Sequence, residues 1–203
     1  MWTAFSTTRD RRTRLTEKRK FGVGRGRVFP ADRAQSLLNP LRRFVQSPSR
    51  TVATMMLEPD SRVLEVGCGP GFFSPFLARA APIGQLVLVD LQIGMLRTAR
   101  GRLPAGSNAG CVRADASALP LATATFDAVI CATMLGEVPD TAGCLDEIRR
   151  VLRPGGRLTV AETRRDSDFI AFHPLRALVE GHGFALEERR GIAWQYVARF
   201  RRT

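Results

Sequence analysis

A chain of 203 residues with 44% hydrophobic content, 31 Lys+Arg and 19 Asp+Glu carries a formal charge of +12 at a mean hydropathy of −0.08. The length favours one domain with appendages over two full domains. No run approaches the roughly 18–20 apolar residues needed to cross a bilayer, and the start has no apolar stretch of the secretory kind. The charge is uneven: residues 1–50 hold 13 Lys+Arg against 3 Asp+Glu, and the remaining 153 residues are close to balanced.

Residues 1–28, rich in Arg, Thr and Gly with GVGRGR at 22–27, are expected to form a basic disordered tail. Such a composition also fits a transit peptide. Residues 1–50 would suit a nucleic acid or another phosphate-bearing partner, and a merely solvated tail accounts for them equally well. From Ala31 to Met56 the apolar residues Leu37, Leu38, Leu41, Phe44, Val45, Val52 and Met56 recur at near-helical spacing, interrupted by Pro40 and Pro48. Two or three short helices are expected there, so 29–57 is read as a helical lid segment and 58–203 as the main domain.

From there the pattern is regular. Apolar runs at Val63–Val66, Leu86–Val89, Phe126–Cys131 and Leu158–Ala161 are nearly continuous, as strands buried on both faces of a parallel sheet are. Helical patterns fill about 72–80, 92–102 and 140–152. The last has Ala142, Leu145, Ile148 and Leu152 on one face and is stopped by Pro154-Gly155-Gly156. A helix at about 174–181 precedes strand-like segments Phe184–Arg189 and Ile192–Phe200. With only Arg190 and Gly191 between them, a hairpin and an antiparallel last strand are expected. The fold class is therefore doubly wound α/β.

The stretch VLEVGCGPGFF, Val63–Phe73, places Gly67, Gly69 and Gly71 where the first strand turns into a helix. In open α/β sheets ligands bind beyond the carboxyl ends of the strands, where strand order reverses. Bare backbone there lets a ligand approach closely, and the helix start favours a negatively charged ligand group. A dinucleotide fingerprint needs GxGxxG, yet Gly69 is followed by Gly71 and Phe72; a phosphate-binding loop is excluded because no GK[ST] follows. Glu65 lies inside the first strand, where a carboxyl must be hydrogen-bonded, with the loop or a ligand ammonium as its expected partner. Asp90 ends the second strand, 19 residues after Gly71, where a carboxylate accepts both hydroxyls of a ribose. Asp115 follows the strand-like segment at Cys111–Arg113; its carboxylate and the Ala116 amide suit an adenine edge. Three acids would repel a dinucleotide's phosphates and suit a neutral or cationic nucleoside. The alternative is that these are ordinary surface or capping acids.

These motifs together resemble the class I S-adenosylmethionine (SAM)-dependent methyltransferases. VLEVGCGPG is similar to that family's first motif and VLVD to its second. RADASALPLATATFDAVICATMLGEVPD resembles the third and fourth, and RVLRPGGRL the turn after them. The resemblance covers about 61–162, is weaker toward the C-terminus, and is to the branch containing ubiquinone- and menaquinone-biosynthesis enzymes. It implies a Rossmann-like, seven-stranded, mostly parallel sheet and SAM as cofactor, with S-adenosylhomocysteine as product and no metal. It also implies roles: Gly67, Cys68, Gly69 and Gly71 line the methionine part, supported by Glu65. Asp90 holds the ribose, Leu91 and Met95 cover the adenine or sugar, Asp115 and Ala116 bind the adenine edge, and Cys131 and Ala132 face the sulfonium.

Cys68, Cys111, Cys131 and Cys144 lie too far apart for a zinc or disulfide framework and are expected as free thiols of a cytoplasmic protein. His182 is assigned a structural role. Candidates for a general base are Glu137, Asp140 and His173, with helix capping as the competing role of the histidine. Since aligned methyl transfer needs little beyond positioning, the catalytic residue stays open. Three functions are carried forward: transfer to a small-molecule or lipid-like acceptor, transfer to RNA through the basic segment, and SAM binding without turnover. The first is preferred, because 29–57 is apolar and because CATMLGE lacks the Asn/Asp-Pro-Pro-aromatic signature of adenine amino-methylation.

Overall fold

The computed structural model describes residues 37–39 and 46–203. Residues 1–36 and 40–45, and with them the whole basic tail of 1–28 as well as Leu41, Phe44 and Val45 of the expected lid, lie outside the described residues. The first described helix is α1, Pro48–Ala53, with Ser47 as N-cap accepting from the Arg50 amide and Pro48 in its first turn. Pro48 therefore starts a helix, because the first turn has no use for the missing N–H. Met56, expected on the apolar face, instead lies beyond α1 with a positive φ of 53° and is exposed.

Five parallel strands follow: β1 Arg62–Val66, β2 Gln85–Asp90, β3 Ala109–Arg113, β4 Phe126–Ala132 and β5 Leu152–Thr163. Helices α2 Ser74–Ala80, α3 Ile93–Arg100 and α4 Thr141–Val151 connect them, with a 3₁₀ turn at Leu135–Glu137 after β4. Then come α5 Phe172–Gly181, β6 Phe184–Ile192 and β7 Gln195–Arg202. The seven-stranded sheet has the order β3-β2-β1-β4-β5-β7-β6, with β7 antiparallel to both β5 and β6. The strand order reverses between β1 and β4, so the crevice for a ligand opens above the end of β1.

Alternation along each strand divides the core. Leu64, Val66, Val87, Val89, Val129, Cys131, Leu158 and Val160 point to one face, where α4 and α5 add Leu145, Ile148, Leu175 and Val179. Val63, Leu86, Leu88, Ala128 and Ile130 point to the other, under Leu77, Leu96 and Ala99 of α2 and α3. Leu38 packs against this second cluster.

Two expected boundaries move. Leu152 ends the helical pattern but pairs with Phe126 at the start of β5, and the register shifts before Arg157 pairs with Ala128. The Pro154–Gly156 stretch is thus an irregularity inside the strand, not a stop that precedes it. The hairpin also turns later than expected: Gly191 pairs with Tyr196 and Ile192 with Gln195, which leaves Ala193 and Trp194 at the tip. Gly191 serves close strand approach here, since a Cβ would collide with the Gln195 carbonyl.

Candidate functional site

The glycine loop is pinned by backbone bonds that the neighbouring strands offer. The Cys68 amide donates to the Val89 carbonyl at 3.0 Å and the Gly71 amide to the Cys68 carbonyl at 3.1 Å. All three glycines have positive φ, 66°, 52° and 81°, but their surroundings differ. A Cβ on Gly67 would stand 2.9 Å from Met134, and one on Gly71 2.8 Å from the Ala99 Cα. A Cβ on Gly69 would meet nothing closer than Leu37 Cδ1 at 3.9 Å. Gly71 thus lets the loop pack onto α3, and Gly69 is the least crowded of the three among the described residues. Arg102 Nε donates to the Gly71 carbonyl at 3.1 Å and holds the loop from outside.

Asp90, at the end of β2, accepts from the Gly69 amide through Oδ2 and from the Gln92 amide through Oδ1, both at 2.9 Å. Each oxygen keeps a second lone pair for a ligand hydroxyl. Burial raises its pKa while the two amides pull it back down. Glu65, only 2% exposed, accepts from Ser74 Oγ at 2.6 Å and so ties β1 to the first residue of α2 across the loop. Its burial, opposed by Ser74 and reinforced by Asp90, pushes its pKa to about 8.

The other expected residues are placed as follows. Leu91 is 43% exposed beside Asp90, and Met95 on α3 is buried. Asp115 is exposed and accepts from the Ser117 amide at 2.9 Å and its hydroxyl at 2.8 Å; Ala116 packs partly against the core. The side chain of Cys131 is fully buried in the core, so any contact with a ligand is through its backbone, whereas Ala132 is half-buried. Of the base candidates, Asp140 is the N-cap of α4, accepting from the Gly143 amide at 2.9 Å. His173 is exposed on α5, whose N-cap is Ala171, so it does not cap that helix. Glu137 is half-buried in the 3₁₀ turn. His182 Nδ1 lies 2.8 Å from Asp146 Oδ1 and bridges α5 to α4.

Burial raises the pKa of all four thiols, well above the usual range for Cys68 and Cys131 and to about 12 for Cys144, which makes them poor nucleophiles. Among the described residues no group of three or more His, Cys, Asp or Glu gathers to hold a metal ion.

Two features escaped the sequence reading. Arg150 and Glu147 of α4 hold the 114–125 connection: Glu147 Oε2 accepts from the Leu119 amide at 2.7 Å, and Arg150 donates to the carbonyls of Leu119 and Leu121 at 2.9 and 2.7 Å. The second is Glu162, a carboxyl at the end of β5 that is 1% exposed. Its signal was in the sequence, since an acid closes the run Leu158–Ala161 much as Asp90 closes β2.

Comparison with known proteins matches residues 64–160 to a family described as "Methyltransferase domain". A malonyl-[acyl-carrier protein] O-methyltransferase of Methylococcus capsulatus is 38% identical over 100 residues, 49% of this chain and 36% of that one. A ubiquinone/menaquinone biosynthesis C-methyltransferase UbiE of Hahella chejuensis is 40% identical over 104 residues, 49% of this chain and 42% of that one. The chain thus spans less than half the length of these curated relatives. Among solved structures, a SAM-dependent methyltransferase from Aquifex aeolicus superposes with a TM-score of 0.79 at 19% identity, covering 87% of this chain and 100% of that one. The fold is shared with it.

Proposed function

We propose that this chain, which carries a class I SAM-dependent methyltransferase domain of the UbiE-like branch, transfers a methyl group from SAM to a small-molecule acceptor of quinol or lipid-like type in the cytoplasm. The observation that carries the reading is Asp90: a part-buried carboxylate at the end of β2, next to the strand-order reversal, bonded to the amide of the loop glycine that is least crowded among the described residues. That acceptor fits a neutral diol beside a cationic amino-acid end and is hostile to a diphosphate.

When bound, SAM supplies an electrophilic methyl group on a sulfonium; the protein's part is alignment and exclusion of water, and positioning alone is worth roughly 7–11 kcal/mol. Asp90 would hold the ribose hydroxyls, with Leu91 and Met95 beside the nucleoside and Asp115 and Ala116 at its adenine edge. Gly67, Cys68, Gly69 and Gly71 give backbone to the methionine part, braced by Glu65 through Ser74. The backbone of Cys131 and Ala132 ends beside the sulfonium. Residues 29–57 would close over the acceptor as a lid; Leu37 near Gly69 and Leu38 on the second core cluster support this part of the reading. The acceptor class follows the UbiE relatives' printed names.

The test is calorimetric titration with SAM, then label transfer from SAM to a benzoquinol bearing a short isoprenoid chain. Binding by the parent, lost in Asp90→Ala, with label in the quinol, is the expected outcome. Unaltered binding by Asp90→Ala overturns the site, and binding with no transfer to any extract fraction would favour a SAM-binding regulator.

A further inference from the structure

We infer that Glu162 is the proton-accepting residue of the acceptor pocket, placed at the end of β5 to take the hydroxyl proton of a phenol- or enol-type acceptor. The inference rests on the methyl-transfer reading above and adds Glu162 to the candidate bases Glu137, Asp140 and His173.

Glu162 shares its sheet face with Leu158 and Val160 and is paired in register with Tyr196 of β7. It lies one strand away from the end of β4, where Ala132 pairs with Ala161. The loops after the two strands touch: Gly136 packs so closely on the Asp168 carbonyl that a Cβ would overlap it. Ile170 caps the carboxyl with a backbone hydrogen bond, and its carbonyl accepts from Tyr196 Oη at 2.6 Å. The rings of Phe169 and Phe172 stand edge-on to Tyr196 with centroids 6.1 and 5.5 Å away, an apolar surround of the kind a flat acceptor needs.

Within this setting Glu162 Oε1 has no hydrogen-bond partner among the described residues. The contrast with Glu65 is direct: that carboxyl, equally buried, has a hydroxyl of its own in Ser74. A buried oxygen left without a hydrogen-bond partner is destabilising, and a ligand hydroxyl would supply the missing bond. The groups facing Glu162 are Glu137 from the turn after β4, Asp166 and Asp168 from the connection after β5, Cys131 from β4 and Tyr196 from β7, with the Arg189 guanidinium beyond the Tyr196 ring. Burial first and the three acids second push Glu162 up to about 8, close to the value at which a carboxylate serves best as a base near neutral pH.

The step balances without a further reactant. The acceptor hydroxyl that reaches Glu162 passes its proton to the carboxylate. The freed electron pair forms the bond to the methyl carbon, from oxygen or from the conjugated ring carbon. The methyl–sulfur bond breaks with its electrons going to sulfur, which leaves a neutral thioether. A ring proton displaced by carbon attack departs to water, as does the proton on Glu162.

The test compares the parent, Glu162→Gln and Glu162→Asp, each checked by thermal melting, with S-adenosylhomocysteine saturating. Calorimetry with para-cyanophenol at pH 7 in buffers of different ionisation enthalpy should give release of about one proton per phenol bound by the parent, and none by the glutamine variant. With the short-chain quinol and labelled SAM, kcat/KM of the parent should rise toward pH ~8. The glutamine variant should lose that rise and fall by about 10²–10⁴-fold at unchanged SAM affinity, and the aspartate variant should recover part of it. Phenol binding that is absent in the parent, or equal in Glu162→Gln with the same proton release, overturns the assignment. Loss of SAM binding by the parent, read in a separate titration with SAM alone, would instead sink the methyltransferase reading.

Discussion

Asp90 and the three glycines divide the work of the loop at the scale of single side chains. Asp90→Asn keeps the size but leaves an amide NH₂ facing one of the two backbone amides that now donate to the carboxylate. A donor set against a donor should cost about 1–3 kcal/mol and weaken SAM affinity at least tenfold by titration. Gly71→Ala and Gly69→Ala separate packing from binding. The first drives a Cβ into the Ala99 backbone at a φ of 81°, so a loss of stability of about 2–4 kcal/mol is expected in denaturant unfolding. The second has room and should lose only about 1–2 kcal/mol through its positive φ, while SAM affinity falls more than stability does. Equal melting temperatures for the two variants would contradict this division. The need for bare backbone was legible from VGCGPG. That Gly71 answers to a helix 28 residues away was not, because the neighbour comes from tertiary packing.

At the scale of elements, α4 is both a core helix and a clamp. Of the face its periodicity predicts, Leu145 and Ile148 are buried with Cys144 and Val151, whereas Ala142 is exposed and Leu152 passes into β5. Its polar edge uses Glu147 and Arg150 to hold the backbone of the 114–125 connection that carries Asp115 and Ala116. From sequence, Arg149 and Arg150 look alike as solvent-facing charges; only the packed connection selects Arg150. Arg150→Ala should therefore leave the helix intact but orphan two part-buried carbonyls. The expected result is faster amide exchange at Leu119 and a severalfold weaker SAM affinity, with Arg149→Ala as an unaffected control. The hairpin shows the converse. Its existence and antiparallel sense were legible from two apolar segments close together, but its turn was not, since Gly191 is as well suited to close strand approach as to a turn.

At the scale of the whole molecule, buried carboxyls set the pH response. Glu65 and Glu162 rise from an ordinary 4.5 to about 8, so the folded state binds more protons than the unfolded chain between those values. Stability should be fully supported below about pH 4.5 by these two groups and fall as pH rises toward 8, by on the order of a few kcal/mol for each. Glu187 works in the opposite sense: the ion pairs with Arg157, Arg199 and Arg201 hold it down to about 2 against its partial burial. Its contribution is present above about 4.5 and is lost as pH falls toward 2. Denaturant unfolding at several pH values should therefore show decline on both sides of mildly acid pH. The double variant Glu65→Gln, Glu162→Gln should flatten only the alkaline side.

The sequence by itself determined the fold class, the strand-to-helix alternation and the glycine loop with its flanking acids, because these rest on local periodicity and on backbone freedom within a few residues. It also carried Glu162 in plain view, as an acid after an apolar run. Only the tertiary structure decided that Asp140 caps a helix. It alone set two equally buried glutamates apart, one with a hydroxyl partner and one without. Burial and hydrogen-bond partners are supplied by residues distant in the chain, and no spacing rule encodes them.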